Sequence, residues 1–299
     1  MNNLCGDLIY NHNLAHYTSL RVGGNAERFY WPANVADLQN FLAQLPPDEP
    51  LTCLGLGSNV LIRGGGIRGT VILTVNRLKE ISFFKEENKQ LVIRAESGVT
   101  CSKLAKFCVS QGLKEGAFFA GIPGTVGGAL AMNAGAFGRE TWCHVIHVET
   151  VDHSGILYKR QPDEFKINYR EIHGLNNQFF VAGYFCFDQK DINKARKAIN
   201  VLLKKRVNLQ PIGTFNCGSV FRNPPGDYAA RLIESAGLKG TRIGNTKVSE
   251  KHANFVINMG EANASDIECL IQFIAQRVYQ IHGIQLIKEV HILGDPSVT

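Results

Sequence analysis

From Gly116 to Gly138 the chain reads Gly-Ala-Phe-Phe-Ala-Gly-Ile-Pro-Gly-Thr-Val-Gly-Gly-Ala-Leu-Ala-Met-Asn-Ala-Gly-Ala-Phe-Gly, with no charged residue. No other stretch restricts the fold as much. Glycine admits tight turns and close approach of a ligand to the backbone, and Pro123 fixes the shape of an otherwise floppy segment. A second glycine-rich stretch, Gly55-Leu-Gly-Ser-Asn-Val-Leu-Ile-Arg-Gly-Gly-Gly-Ile-Arg-Gly69, lies upstream. It lacks the third glycine of a dinucleotide fingerprint, and the chain has no Walker A sequence. What remains is a pair of loops rich in N–H groups and clear of side chains, of the kind that surrounds a pyrophosphate. Glycine turns that merely join strands are the ordinary alternative. Two long ones, the second uncharged, weigh against it. Composition and spacing alone stop at a protein that binds a large nucleotide.

The other bulk features narrow the setting. The 299 residues suffice for two or three domains, and 32 Lys and Arg against 26 Asp and Glu give a formal charge of +6. That balance suits phosphate-rich anions and, in principle, nucleic acid. The basic residues are scattered, however. The one basic triplet, Lys204-Lys205-Arg206, falls on a predicted helix as a solvated face, so nucleic acid is disfavoured. The eight cysteines include no C-x-x-C pair, which argues against a zinc ribbon or thioredoxin-type site. With no signal peptide and no apolar run of membrane-spanning length, free thiols point to a reducing cytoplasm. His144 and His147 are three apart on a predicted strand and face opposite sides, so no metal site is expected.

Periodicity predicts an α+β chain. Asn34 caps a helix with Leu38, Phe41 and Leu42 inward, and strands follow at Leu51–Leu54 and Thr70–Val75. Next come a strand at Gln90–Ala95, a helix over 100–111, and largely antiparallel strands at His144–Val151, Ile156–Arg160 and Phe179–Phe187. A helix starts at Asp188 and leads to Gln210-Pro211. A short helix spans Tyr228–Ala236 and a strand Asn254–Asn258. A capping box, Ser265-Asp-Ile-Glu268, opens the last long helix, whose inward face carries Ile267, Leu270, Ile271, Ile274, Val278 and Ile281. Gln285–Leu293 forms a closing strand, with Glu289 and His291 on one face.

Seven segments, in order, resemble one family, the UDP-N-acetylenolpyruvoylglucosamine reductases (MurB). They are Thr18-Ser-Leu-Arg-Val-Gly-Gly-Asn-Ala26, Gly55-Leu-Gly-Ser-Asn-Val-Leu61, Gly121-Ile-Pro-Gly-Thr-Val-Gly-Gly-Ala129 with Met132-Asn-Ala-Gly135, Tyr169-Arg170, Cys217-Gly-Ser-Val-Phe-Arg-Asn-Pro224, Val248-Ser-Glu-Lys-His-Ala-Asn-Phe-Val-Ile-Asn258 and Glu289-Val-His-Ile-Leu-Gly294. The glycine segments alone fit the wider group of flavoproteins; the Gly-Ser-Val-Phe-Arg-Asn-Pro and Lys-His-Ala-Asn-Phe segments narrow the choice. The resemblance implies a two-part FAD-binding region of the PCMH/vanillyl-alcohol-oxidase type, at 1–78 and 79–189. A C-terminal α/β substrate-binding domain follows at 190–299.

The activity implied is reduction of enolpyruvyl-UDP-N-acetylglucosamine to UDP-N-acetylmuramate for the bacterial cell wall. NADPH reduces non-covalent FAD and leaves, and the sugar nucleotide then takes its place in the same cleft. A hydride goes from flavin N5 to the terminal carbon of the double bond, and a proton to the carbon bearing the carboxylate. The cofactor carries the hydride chemistry while the protein orients it.

Three residues match the family's catalytic positions. Ser219 is the proton donor; a hydroxyl is a weak acid and needs help from charge building on the substrate. Arg170 holds the carboxylate and steadies the enolate, because a guanidinium fork suits a planar carboxylate. Glu289 protonates or polarises the same enolate if burial raises its pKa. FAD is expected at Gly55, Gly57, Ser58 and Asn59, at Gly121, Ile122, Pro123, Gly124, Thr125, Gly127 and Gly128, and near Asn133 and Gly135. Asn223 contacts the sugar nucleotide, with Lys247, Lys251 and His252 as looser diphosphate candidates. The chain looks like the shorter family type, since the stretch from Phe187 to Pro211 has little room for the extra loop that carries a substrate-binding tyrosine in other members. A monomer or weak oligomer is expected.

Two other readings remain open on the residues: a sugar or alcohol oxidase of the same fold, which often attaches FAD covalently, and a non-catalytic nucleotide-sugar-binding regulator.

Overall fold

The computed structural model describes residues 4–87 and 90–297. In chain order these form β1 (Asp7–Asn13), β2 (Asn25–Trp31), α1 (Val35–Leu42), β3 (Leu51–Leu54), β4 (Val60–Ile62), β5 (Ile67–Leu73), β6 (Ile81–Glu87), β7 (Gln90–Glu96), α2 (Cys101–Ser110), α3 (Val126–Ala131), β8 (Gly135–Ala136) and β9 (Arg139–Glu140). They continue with β10 (Val145–Val151), β11 (Leu157–Arg160), β12 (Lys166–Asn168), β13 (Glu171–His173), β14 (Phe179–Asp188), α4 (Ile192–Leu209), β15 (Phe215–Asn216), α5 (Ala229–Ser235), β16 (Arg242–Ile243), β17 (Thr246–Val248), β18 (Val256–Asn258), α6 (Ala264–His282) and β19 (His291–Leu293). The chain is therefore α+β. Its contacts sort it into two compact units. One comprises Met1–Ile9, Phe29–Leu56 and Thr70–Arg206, the other Tyr10–Arg28, Gly57–Gly69 and Val207–Thr299.

The first unit is built on an antiparallel sheet ordered β11-β10-β14-β7-β6. β14 is its central strand because Phe179–Phe187 is an almost unbroken apolar run, which suits a strand covered on both faces. α2, α3 and a 3-10 stretch, Lys114–Gly121, contribute Leu104, Cys108, Phe118, Phe119, Val126 and Leu130 to the core around Phe185 and Phe187. Phe119 meets Phe185 edge-to-face at 5.4 Å between ring centres. Each such ring or branched chain contributes roughly 1.5–3 kcal/mol when fully buried. Gly116 must lack a side chain here, since a Cβ would lie 2.5 Å from the Cβ of Cys108. In the same unit β3 pairs in parallel with β5, from Leu51 opposite Thr70 to Leu54 opposite Leu73. α1 packs beside them, capped by the Asn34 side chain on the Asp37 N–H as expected.

The second unit packs α6 against the antiparallel sheet β15-β18-β17-β16. Ile267, Leu270, Ile271, Ile274 and Val278 recur at helical spacing and are all buried, meeting Leu20, Val22 and Leu61 in one cluster. Gly283 ends the helix at φ 67°, a left-handed cap that suits glycine. β4 and β19 form a parallel pair, with His291 opposite Val60 and Leu293 opposite Ile62. Arg63 grips Glu268 through two bonds, of 2.8 and 2.7 Å.

Four expectations need correction. The cap of α6 is Asn263, whose side chain accepts from the Asp266 N–H at 2.7 Å; Ser265 bonds Asn263 instead of opening a capping box. Ile281 is 46% exposed, because α6 turns it off the buried stripe. Asp188 does not start a helix: it ends β14 opposite Gln90, and Asp191 accepts from the Lys194 N–H at the start of α4. The closing strand is only His291–Leu293, since the residues before it pair irregularly, through Arg222 N–H to the Ile287 carbonyl and a bridge of Phe221 with Lys288.

Candidate active site

In the first unit the antiparallel pair β12–β13 leaves Tyr169 and Arg170 as its turn, between Asn168 and Glu171. Arg170 sits at φ 59°, a left-handed conformation costly for a residue with a Cβ. Its guanidinium lies 5.2 Å from the Tyr169 ring centre and donates to the carbonyls of Gly135 (3.0 Å) and Asn133 (3.4 Å). Asn133 is 1% exposed. Its amide donates to Glu140 and to the Asn168 carbonyl, and its oxygen accepts from the Trp142 N–H. Gly135 admits no side chain, since a Cβ would lie 2.4 Å from the Arg139 carbonyl oxygen. Arg170 and the Asn133–Gly135 segment are thus brought together by direct bonds.

The long uncharged stretch behaves differently in its two halves. Residues up to Ala120 are core. Beyond them the N–H groups of Ile122, Gly124, Val126, Gly127 and Gly128 donate within the protein, to Phe119, Ile122, Val99, Ser97 and the Thr125 hydroxyl. The segment therefore presents a few side-chain-free positions, chiefly Gly128, more than a row of unused donors. Pro123 and Gly128 are exposed, and a Cβ on Gly128 would meet nothing nearer than Thr125 Oγ1 at 3.8 Å. Gly55, in the same unit, lies so close to Thr125 that a Cβ would fall 2.2 Å from its hydroxyl. The Ser97 hydroxyl, beside Gly127, is buried and has no partner. The open face of Gly128, with the orphan Ser97 hydroxyl beside its neighbour Gly127, fits a flat, polar cofactor lying against this loop. Gly57, Ser58 and Asn59 belong to the second unit, where Gly57 sits at φ 63° against Tyr17.

The second unit brings together the backbone segments that carry Ser219 and Glu289. Cys217, Val220 and Phe221 are each 1% exposed and anchor the segment in the core, while Gly218 at φ 76° turns the chain and leaves Ser219 half-buried. The Glu289 N–H donates to the Val220 carbonyl at 2.7 Å, and the Glu289 carbonyl accepts from the Asn59 side chain at 2.9 Å. Burial, with a smaller effect of the Glu289 charge, pushes the Cys217 thiol up to about 12. It therefore remains a packed thiol.

The other expected residues have local partners. Asn223 accepts from the Ala229 N–H at the start of α5, Lys247 pairs with Glu250, and Lys251 donates to the Val207 carbonyl. Burial holds His252 below its usual pKa, and its Nδ1 has no partner. His144 packs beside Phe118 and Phe187, whereas His147 stacks on Tyr184. Among the described residues no group of three or more His, Cys, Asp or Glu is arranged to hold a metal.

Sequence reasoning missed Asn254. Buried at 3% exposure, it accepts from the Val220 N–H through its carbonyl and holds both the N–H and the carbonyl of Phe221 through its side chain. An asparagine inside an apolar strand-like run was the available signal, since a buried amide needs partners.

The fold and the open Gly128 position suit an FAD-binding flavoprotein, and residues 26–159 match the model of an FAD binding domain. Residues 210–293 match the C-terminal domain of UDP-N-acetylenolpyruvoylglucosamine reductase. Proteins of that name from Coxiella burnetii and Alkalilimnicola ehrlichii are 69% and 52% identical to this chain; the first alignment covers 97% of both chains, the second 97% of this chain and 96% of the other. The crystal structure of the Thermus caldophilus reductase superposes with a TM-score of 0.80 at 27% identity, covering 98% of this chain and all of that one. The chain belongs to the UDP-N-acetylenolpyruvoylglucosamine reductase family.

Proposed function

We propose that Ser219, Glu289 and Arg170 carry the proton and charge steps of this family's reaction. The chain is an FAD-dependent oxidoreductase that reduces UDP-N-acetylenolpyruvoylglucosamine in peptidoglycan synthesis, with NADPH as the hydride donor. Bound FAD supplies hydride transfer; the residues do the rest. Arg170, pinned to the Gly135 carbonyl, offers its guanidinium charge to the substrate carboxylate and steadies the negative charge that develops there. Ser219 gives its hydroxyl proton to the carbon next to that carboxylate. Glu289 lies on the segment bonded to Val220 and supports that transfer. Gly55, Gly57, Ser58, Gly121–Thr125, Gly127 and Gly128 line the FAD, while Asn223, Lys247, Lys251 and His252 contact the sugar nucleotide.

The observation that carries this reading is the 2.7 Å bond from the Glu289 N–H to the Val220 carbonyl, one residue from Ser219. It sets side by side two backbone segments, one bearing an acid and the other a hydroxyl, separated by seventy positions in sequence. We further place the enzyme in the cytoplasm, as a monomer or weak oligomer. No helix among the described residues is long and apolar enough to cross a membrane.

Anaerobic stopped-flow spectrophotometry of Ser219→Ala tests the assignment. NADPH is expected to bleach the bound flavin at the wild-type rate, while reoxidation by the enolpyruvyl sugar nucleotide slows at least a hundredfold, within the usual worth of a proton donor. Equal loss of both half-reactions in a folded protein would remove Ser219 from this role.

A further inference from the structure

We infer that Asn59 and Asn254 are positioning residues for the proton-delivering pair, holding Glu289 and Ser219 in register; this rests on the roles proposed above for those two. Glu289 stands two residues short of β19 and outside its ladder. Two bonds fix its backbone. Its N–H donates to the Val220 carbonyl at 2.7 Å, and its carbonyl accepts from Asn59 Nδ2 at 2.9 Å. The same two partners serve the next residues, since the Val290 N–H also reaches the Val220 carbonyl (3.3 Å) and the His291 N–H donates to the Asn59 carbonyl (3.1 Å). The segment bearing the acid is thus bonded to Val220 and to Asn59.

Val220 is itself held. Its N–H donates to the Asn254 carbonyl at 2.9 Å, and the Asn254 side chain closes on Phe221, accepting its N–H at 3.0 Å and donating to its carbonyl at 2.8 Å. Asn254 therefore fixes the backbone after Ser219, Val220 passes that constraint to Glu289, and Asn59 closes the chain of bonds. The motif around Asn59 belongs to the loop expected to hold the cofactor, but its amide nitrogen is directed at the backbone of the acid. A hydroxyl that is a weak donor depends on alignment, and a displacement of about 1 Å can cost on the order of a hundredfold in rate.

The test uses the FAD-loaded enzyme with Asn59→Leu, which keeps size and neutrality but cannot donate, and with Asn254→Asp, which keeps the acceptor and loses the donor. Both half-reactions, flavin retention on gel filtration and melting temperature are measured beside Ser219→Ala. Asn59→Leu is expected to retain FAD and to be bleached by NADPH within about twofold of wild type. Its reoxidation by substrate should slow about 10–100-fold with little change in the concentration of half-saturation, the split that misalignment produces. Should Asn254→Asp fail to fold, Asn59→Leu decides alone. Loss of flavin, or an equal fall in both half-reactions, makes Asn59 a cofactor ligand and overturns the inference, as does wild-type reoxidation. If Ser219→Ala itself reoxidises normally, the proton-donor assignment falls first and takes this inference with it.

Discussion

Cys217 and Ser219 are two residues apart and have opposite fates. The cysteine is packed into the core beside Val220 and Phe221, and its thiol is pushed up to about 12. The serine is left half-buried by the left-handed turn at Gly218. Alkylation with iodoacetamide at pH 8, read by peptide mass mapping, should therefore label the exposed Cys5, Cys143 and Cys269 and spare Cys217, Cys101 and Cys108 while the protein is folded. Labelling of Cys217 at a rate comparable to Cys143 would contradict its burial. At this scale the candidates Arg170, Ser219 and Glu289 were legible only as members of short motifs that resemble the family's. Their fastening was not. That Asn133 supports the Arg170 turn, or that Asn254 clamps Phe221, depends on partners 33 to 35 positions away that no local pattern links.

Among the elements, α1 shows how a short helix is secured. Tyr30 stacks on Phe41 with ring centres 3.6 Å apart, and its hydroxyl donates to Asp37 at 2.6 Å. Asp37 also accepts from the N–H groups of Cys5 and Ala33. Burial disfavours the Asp37 charge, but the Tyr30 bond and these N–H donors outweigh it and hold the carboxyl below its usual pKa. A carboxyl depressed in the folded state stabilises above its unfolded pKa of about 3.9, and that stabilisation fades as pH falls through the folded value. Asp37→Asn should thus lower stability by about 1–3 kcal/mol at pH 7, with the difference from wild type shrinking below pH 4 in urea titrations. A constant difference between pH 7 and pH 3 would exclude this account. Helices with a clear apolar stripe, such as α2 and α6, were legible from spacing. The parallel pair β4–β19 was not, because its strands are three residues each and lie more than 220 positions apart.

For the whole molecule, the α+β class and the family could be read from the order of motifs, whereas the grouping of residues 10–28 and 57–69 with the C-terminal segment could not. That grouping rests on Leu20, Val22 and Leu61 sharing a core with α6, a choice settled by packing and not by local propensity. The cofactor should register at this scale as well. Acid precipitation is expected to release the flavin into the supernatant, as a non-covalent cofactor requires. FAD returned to apoprotein at a hundred times its Kd adds about 2.7 kcal/mol of stability, or about 4 °C in melting temperature by calorimetry for a chain of this size. Flavin that stays with the precipitate would favour the oxidase alternative instead.

The alternation of the chain between the two units bears on how it is made. A ribosome delivers residues in order, so the first unit's residues are all available once Arg206 has emerged. Leu20, Val22 and Leu61 must wait, with their apolar surface uncovered, for α6 to be synthesised. Nascent chains of intermediate length are therefore natural clients for chaperones. No cut near residue 206 frees a self-sufficient C-terminal module, so chimaeras that exchange the substrate-binding part must carry the two N-terminal segments with it.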